Sequence, residues 1–239
     1  MIRLHVTADL SAGAAVVPTL DQSRYLTQVM RLGAGDALRL FNGRDGEWRA
    51  TVAEVLKKGV VLRAEARVRD QIAPPDVELL LATVKKSALE FAVEKATELG
   101  TARIRLITTV RTQPQHLRLD RLDAIAEESA EQTGRLDVPA VDDPVKLTAL
   151  LDRWDPARRI MFCDETGGPP AIAALTDAGP GPWAILIGPE GGFAPEERDR
   201  LRAMDCAVPL SLGPRILRAD TAAVTALSLW QATLGDWKR

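Results

Sequence analysis
The adjacent prolines Pro74 and Pro75 constrain this chain more than any other feature, because they forbid helix and separate two stretches of different rhythm. Ahead of them, short apolar alternations are cut by glycine turns; behind them, apolar runs alternate with amphipathic stretches. The run Asp70-Gln71-Ile72-Ala73-Pro74-Pro75-Asp76 is the predicted boundary between a region spanning 1–72 and a region spanning 73–239. A chain of 239 residues is long enough to give each region its own core.

In the first region Ile2–Val6, Ala37–Phe41, Glu47–Val55 and Val60–Val68 read as strands. Turns fall at Gly33-Ala34-Gly35-Asp36, at Asn42–Gly46 and at Lys57-Lys58-Gly59. Asp21 is placed to cap a short helix running to Met30. Many short strands joined by glycine turns predict a small β-barrel.

The second region opens on Val77–Ala82, an apolar run interrupted only by Glu78 and suited to a strand buried on both faces. Ser87-Ala88-Leu89-Glu90 has the form of a capping box, Leu89, Val93, Ala96 and Leu99 then share one helical face, and Gly100 supplies the stop. Arg103–Ile107, Arg159–Phe162 and Trp183–Ile187 read as further strands. Helices are expected over Asp120–Thr133, closed by Gly134, from Pro195 with Glu196 and Glu197 in its first turn, and over Thr221–Leu234. Strands alternating with helices predict an α/β domain with a mainly parallel sheet.

Composition narrows the setting. The stretch Met1–Leu10 carries Arg3, His5 and Asp9 and does not read as a secretory leader, and no apolar run is long enough to cross a bilayer. Cys163 and Cys206 form no CxxC pair, so neither a zinc motif nor a disulfide framework is expected, and both read as core fillers in a cytoplasmic protein. His5 and His116 read as surface or structural residues. The net charge is −2, yet 1–72 holds 11 lysines and arginines against 8 acids, whereas the remainder holds 20 against 25. That asymmetry points toward a polyanion on the first region, although positioned arginines rather than bulk charge must carry it.

Two segments carry the chemistry. Ile185–Ile187 ends in Gly188-Pro189-Glu190-Gly191-Gly192-Phe193 and leads through Pro195 into a helix. Open α/β sheets bind ligands where buried strands end in such loops, although a tight strand-to-helix turn also calls for glycine. The loop is neither GxGxxG nor GxxxxGK[ST], which excludes the usual oxidoreductase and kinase fingerprints, and Glu190 suits a cationic ligand better than a triphosphate. Downstream, Leu210–Ala223 turns at Gly213-Pro214 and sets Arg215 and Arg218 before the last helix. Cations oppose the dipole at a helix N-terminus, so either an anion comes to them or they pair with Asp220 or Glu190.

Taken together, Ile187–Phe193 followed by Leu212–Arg218 resembles the paired signature of the RsmE-type methyltransferases, a SPOUT-superfamily group that methylates N3 of a uridine in small-subunit ribosomal RNA. Val29-Met30-Arg31-Leu32, Leu40–Gly43, Lys95–Gly100, Arg111, and Glu131-Gln132-Thr133-Gly134-Arg135 with Pro139 resemble further motifs of that family, in order along the chain. Asp220 stands where glutamate is more usual, Ala219 where threonine is common, and Asn42 where aspartate is frequent.

The resemblance implies a PUA-like RNA-binding barrel over 1–72 and a SPOUT domain over 73–239 whose C-terminal chain forms a trefoil knot. It implies S-adenosylmethionine as cofactor, held around Ile187, Gly188, Gly192, Ser211, Leu212, Gly213, Leu217 and Thr221, with no metal and no membrane. Small-subunit ribosomal RNA, or the subunit itself, is the implied partner, met by Arg24, Arg31 and Arg44 of the barrel and by Gln132 and Arg215; the barrel arginines also read as scattered surface charge. A homodimer is implied, the last helix serving either its interface or the core. Uracil N3 must lose a proton to become a nucleophile, so Arg111, Arg135 or Arg218 would stabilise the anion and Glu190 or Asp220 would take the proton. Two rivals keep some of this picture: a SPOUT enzyme acting on another RNA position, and an RNA-binding protein with an inactive methyltransferase domain.

Overall fold
The computed structural model describes residues 1–114, 116–164 and 166–238. They form two compact units, Met1–Ala73 with Ala130–Val138, and Pro74–Ser129 with Pro139–Arg239.

The first unit is a five-stranded sheet ordered β1-β3-β4-β5-β2. β1 (Arg3–His5) runs parallel to β3 (Ala37–Phe41), while β4 (Glu47–Leu56) and β5 (Gly59–Arg69) extend it as antiparallel hairpins and β2 (Ala15–Val16) pairs with β5. Leu4, Leu26, Leu38, Leu40, Val52 and Leu62 fill its core. The helix is shorter than the sequence predicts and is not capped by Asp21. Thr19 caps α1 (Leu20–Arg24), its hydroxyl accepting the Gln22 amide while the Gln22 side chain accepts the Thr19 amide. A π-helical turn, Tyr25–Val29, follows, and Arg31 leaves it at φ +56°, among the described residues the sole non-glycine in that region.

Arg3 organises the other end of this unit. Its guanidinium lies 4.5 Å from the Phe41 ring, meets Glu47 at 2.6 Å and donates to the carbonyls of Ala130 and Glu131 at 2.7 and 2.9 Å, and to that of Arg135. A cation there satisfies orphan carbonyls at a helix C-terminus and suits its dipole.

The second unit is a six-stranded, wholly parallel sheet ordered β11-β9-β10-β6-β7-β8. Its strands are β6 (Val77–Ala82), β7 (Arg103–Thr108), β8 (Ala140–Lys146), β9 (Arg159–Cys163), β10 (Trp183–Ile187) and β11 (Ala207–Leu210). The central β6 and β10 are buried along their whole length, β10 as a continuous apolar run and β6 with the buried Glu78, which Arg105 meets at 2.8 Å. Helices α2 (Lys86–Glu98), α3 (Leu119–Thr133), α4 (Leu147–Leu151), α5 (Ala171–Ala178), α6 (Pro195–Arg202) and α7 (Ala219–Thr233) connect and cover them. No described helix is long and apolar enough to cross a membrane.

Two local expectations fail. α2 starts at Lys86 after Lys85, without a side-chain cap, so Ser87 lies inside the helix and the capping box does not form. The last helix begins at Ala219, with Arg218 as its N-cap. Strand β8 escapes the sequence because Ala140-Val141-Asp142-Asp143-Pro144-Val145-Lys146 has the charges and proline of an edge strand, and it is indeed the edge, paired on one side to β7. α7 buries Ala223, Ala226, Leu227 and Trp230 and packs against α2 and α5, which makes it a core helix of this unit.

Candidate active site
Because the second sheet is parallel, its strands all end on one edge, and there β11, β9 and β10 lie side by side. The connections leaving these three strands line one cleft of about 370 Å³, a size suited to a small molecule. After β9 come Cys163, Asp164, Thr166 and Gly167; after β10, Ile187 to Glu190 with Gly192 and Phe193; after β11, Ser211 to Leu217, with Ala219 and Ala222 of α7 behind them.

The β10–α6 loop turns at Gly192, whose φ of +66° favours glycine and whose amide donates to the Pro189 carbonyl at 2.9 Å. Gly188 is bare for another reason. A Cβ there would stand 2.8 Å from the Phe193 ring, and Phe193 packs edge-on against Phe162 with centroids 5.3 Å apart. Gly188 thus admits a neighbour's ring while it also lines the cleft. Pro195 opens α6, and Glu197 in the first turn accepts the Ala194 amide at 3.0 Å and, from outside the loop, the Val110 amide at 2.9 Å. Beside Val110, Arg111 donates from Nη1 to the Gly191 carbonyl at 3.0 Å.

The β9 wall has its own charge network. The Asp164 side chain is fully enclosed; it meets Arg202 at 2.6 Å and Arg198 at 3.4 Å and accepts the Thr166 amide and hydroxyl at 3.0 and 2.8 Å. Burial alone would raise its pKa, but the Thr166 hydrogen bonds and then Arg202 outweigh burial and hold the carboxyl below the usual range. Next to it, burial pushes the Cys163 thiol up to about 12, so this thiol stays protonated where the end of β9 meets the cleft.

The β11–α7 wall is pinned from behind. Ser211 bridges Pro170 in parallel, its amide donating to the Pro169 carbonyl at 2.9 Å and its carbonyl accepting the Ala171 amide at 3.2 Å. Its main-chain amide and carbonyl are thus both bonded within the fold, and the residue itself stands on the cleft lining. Gly213 turns at φ +118°, its amide donating to the Ser211 hydroxyl oxygen at 3.2 Å. Arg215 and Arg218 are exposed, and among the described residues neither pairs with Asp220, Glu190 or another acid. Asp220 instead accepts the Thr221 amide at 2.7 Å and lies near its hydroxyl at 3.3 Å. Glu190 is exposed on the cleft lining without an ion pair among the described residues.

Thus Ile187, Gly188, Glu190, Gly192, Ser211, Leu212, Gly213, Arg215 and Leu217 converge on one cleft, whereas Thr221, Arg218, Asp220 and Arg111 stand outside its lining. Arg135 belongs to the first unit, where Asp137 meets it at 2.7 Å and its side chain is 9% exposed. Gln132 is exposed in the last turn of α3. On the first unit, Arg24 pairs with Asp21 at 3.3 Å, Arg44 with Asp9 at 2.8 Å, and Arg31 is exposed. Sequence reasoning missed the β9 wall, although Gly167-Gly168 after a buried strand is the same signal that singled out the β10 loop. It also gave Glu197 only a dipole role.

Residues 72–231 match the family model of an RNA methyltransferase domain, and 18–65 that of an RNA methyltransferase PUA domain. The chain is 32% identical to the ribosomal RNA small subunit methyltransferase E of a Synechocystis species, over 97% of this chain and 78% of that one. It is 28% identical to the protein of the same name from Rickettsia conorii, over 95% and 93%. A methyltransferase of Legionella pneumophila, solved with bound SAM, superposes with a TM-score of 0.87 at 30% identity, covering 98% of each chain. With a methyltransferase model spanning most of it and a relative 32% identical over 97% of its length, this chain belongs to the ribosomal RNA small subunit methyltransferase E family.

Proposed function
We propose that this enzyme transfers a methyl group from S-adenosylmethionine to N3 of a uridine in small-subunit ribosomal RNA, acting in the cytoplasm as a homodimer on the RNA or on the subunit. The observation that carries this is the convergence of the connections after β9, β10 and β11 on one cleft that bears a carboxylate, Glu190, and a guanidinium, Arg215. Relatives named for small-subunit ribosomal RNA methylation support the substrate, and the SAM-bound Legionella neighbour supports the cofactor.

The residues present fit that cofactor. The cleft has the volume for it, a carboxylate suits a sulfonium cation, and among the described residues no phosphate-binding lysine lines the wall. The cofactor supplies an activated methyl group; positioning the partners and managing one proton falls to the protein. Glu190 is the better placed of the two candidate bases, because it stands on the lining whereas Asp220 already receives its own helix amide. Arg218 has no acidic partner among the described residues and Arg111 is fixed to its loop, so these two are assigned to the developing imide anion in preference to Arg135, which Asp137 neutralises. The trefoil knot belongs to the same proposal. Its support is membership of the family.

Calorimetric titration with S-adenosylmethionine, followed by mass spectrometry of ribosomal RNA nucleosides from a strain lacking this protein, tests it. The expected result is binding in solution and a missing N3-methyluridine that returns on complementation. Absence of binding, or an unchanged nucleoside profile, refutes it.

A further inference from the structure
We infer that Glu197 is a positioning residue for methyl transfer: its buried carboxylate fixes where Arg111 stands against the cleft loop. This rests on the proposed function and adds a residue that lines no part of the cleft.

Glu197 is 5% exposed, and each of its two carboxylate oxygens accepts one main-chain amide. Oε2 takes Ala194, at the end of the glycine loop, and Oε1 takes Val110, in the turn after β7. Arg111 follows Val110 and reaches back to the Gly191 carbonyl, closing a ring of contacts between the two segments. Among the described residues, the turn's other hydrogen bonds are local to it. The Val110 side chain is 73% exposed, so apolar packing does not fix it, and the Thr109–Thr112 hydrogen bonds are internal to the turn. The place of Arg111 relative to the loop is therefore set by this carboxylate together with the Arg111–Gly191 hydrogen bond.

The chemistry requires a carboxylate rather than any polar side chain. Both partners are N–H donors, and a carboxylate is acceptor-only at both oxygens. Glutamine of the same length would accept one amide and turn its own NH₂ toward the other, breaking one of the two ties with almost no change in shape. A displacement of the turn moves the Arg111 guanidinium, and an ångström at a reacting centre costs about a hundredfold in rate.

A double-mutant cycle tests this, using Glu197→Gln, Arg111→Ala and both together in the full chain. Methyl transfer to small subunits lacking the modification is measured alongside melting temperature and S-adenosylmethionine affinity by calorimetry. The expected result is a folded Glu197→Gln enzyme with kcat about tenfold to a hundredfold lower, cofactor affinity within a few-fold of wild type, and no further loss when it is added to Arg111→Ala. Equal losses in both backgrounds, or a wild-type rate in Glu197→Gln, overturn it, as does an Arg111→Ala enzyme of normal rate. Should Glu197→Gln melt below the assay temperature, Glu197→Asp, which keeps the charge and shortens the reach, is put through the same cycle with the same criterion. A wild-type protein that transfers no methyl group would instead remove the proposed function, and this inference with it.

Discussion
Arg111 donates to the Gly191 carbonyl at 3.0 Å across 80 residues of sequence, tying the turn after β7 to the loop after β10. The bond is exposed, so its share of stability is at most about 1 kcal/mol. Its value lies in holding a cation beside a loop that lines the cleft. Arg111→Ala is expected to leave the melting temperature nearly unchanged while lowering kcat by about a hundredfold, measured by methyl-transfer kinetics beside a thermal melt. A melt that falls in step with activity would give Arg111 a structural role instead.

Arg218 caps α7 without an acidic partner among the described residues, against the dipole it sits on. Removing it should therefore cost the fold less than about 0.5 kcal/mol. Turnover of Arg218→Ala is expected to drop by at least tenfold, with stability equal to wild type or slightly above it. Normal turnover in this variant would take Arg218 out of the site.

Two glycines of one loop should fail differently. Gly188→Ala drives a methyl group into the Phe193 ring, an overpacking that costs about 1–3 kcal/mol and that Phe193→Leu should partly relieve. Gly192→Val instead forces a branched residue into φ +66°, so the turn itself distorts, and cofactor affinity is expected to be lost. Denaturant melts of the Gly188→Ala and Phe193→Leu pair, with cofactor titrations of Gly192→Val, check both; no rescue in the pair would mean the ring is not what Gly188 accommodates.

Asp164 makes the β9 wall sensitive to acid. Its folded pKa lies below the unfolded value of about 3.9, so its contribution is fully present above that pH and is lost as pH falls through the lower folded value. Asp164→Asn removes the carboxylate that meets Arg198 and Arg202 and should cost about 2 kcal/mol at neutral pH. The gap between wild type and variant should narrow only below about pH 4. Urea melts across that range would contradict the assignment if the gap stayed constant.

On the first unit, Arg24 and Arg44 are held by exposed ion pairs with Asp21 and Asp9, contacts that a phosphate would displace at little cost. Arg31 is presented by a backbone turned to φ +56°, an uncommon conformation for arginine. A triple alanine variant is expected to reduce the slope of log binding constant against log salt by about 2 to 3, from filter binding to ribosomal RNA at several salt concentrations. An unaltered slope would leave these residues as ordinary surface charge.

Much of this was legible locally. Trp183–Ile187 reads as a strand from its unbroken apolar run, and it is one, because a strand buried on both faces has no solvent side to mark with polar residues. Pro195 with Glu196 and Glu197 announces a helix start, and α6 starts there. Where the local pattern misled, a nearby competitor prevailed. Thr19 captured α1 because Gln22 could return its hydrogen bond, which Asp21 alone could not offer. Ser87 caps nothing because α2 has already begun one residue earlier, at Lys86.

The sequence by itself determined the glycine loop, the arginine-bearing segment and the family, since turn residues and ordered motifs are local properties of the chain, but not that Ala130–Val138 cluster with the first unit. Only the tertiary structure decided that β11 and β9 lie beside β10, so that a third loop carrying Asp164 joins the cleft. It alone also decided that Asp137 claims Arg135, that Ser211 is bonded to its neighbours, and that Glu197 holds the turn bearing Arg111. Strand order and hydrogen-bond partnership depend on which distant surfaces bury each other, and residue spacing along a chain carries no record of that.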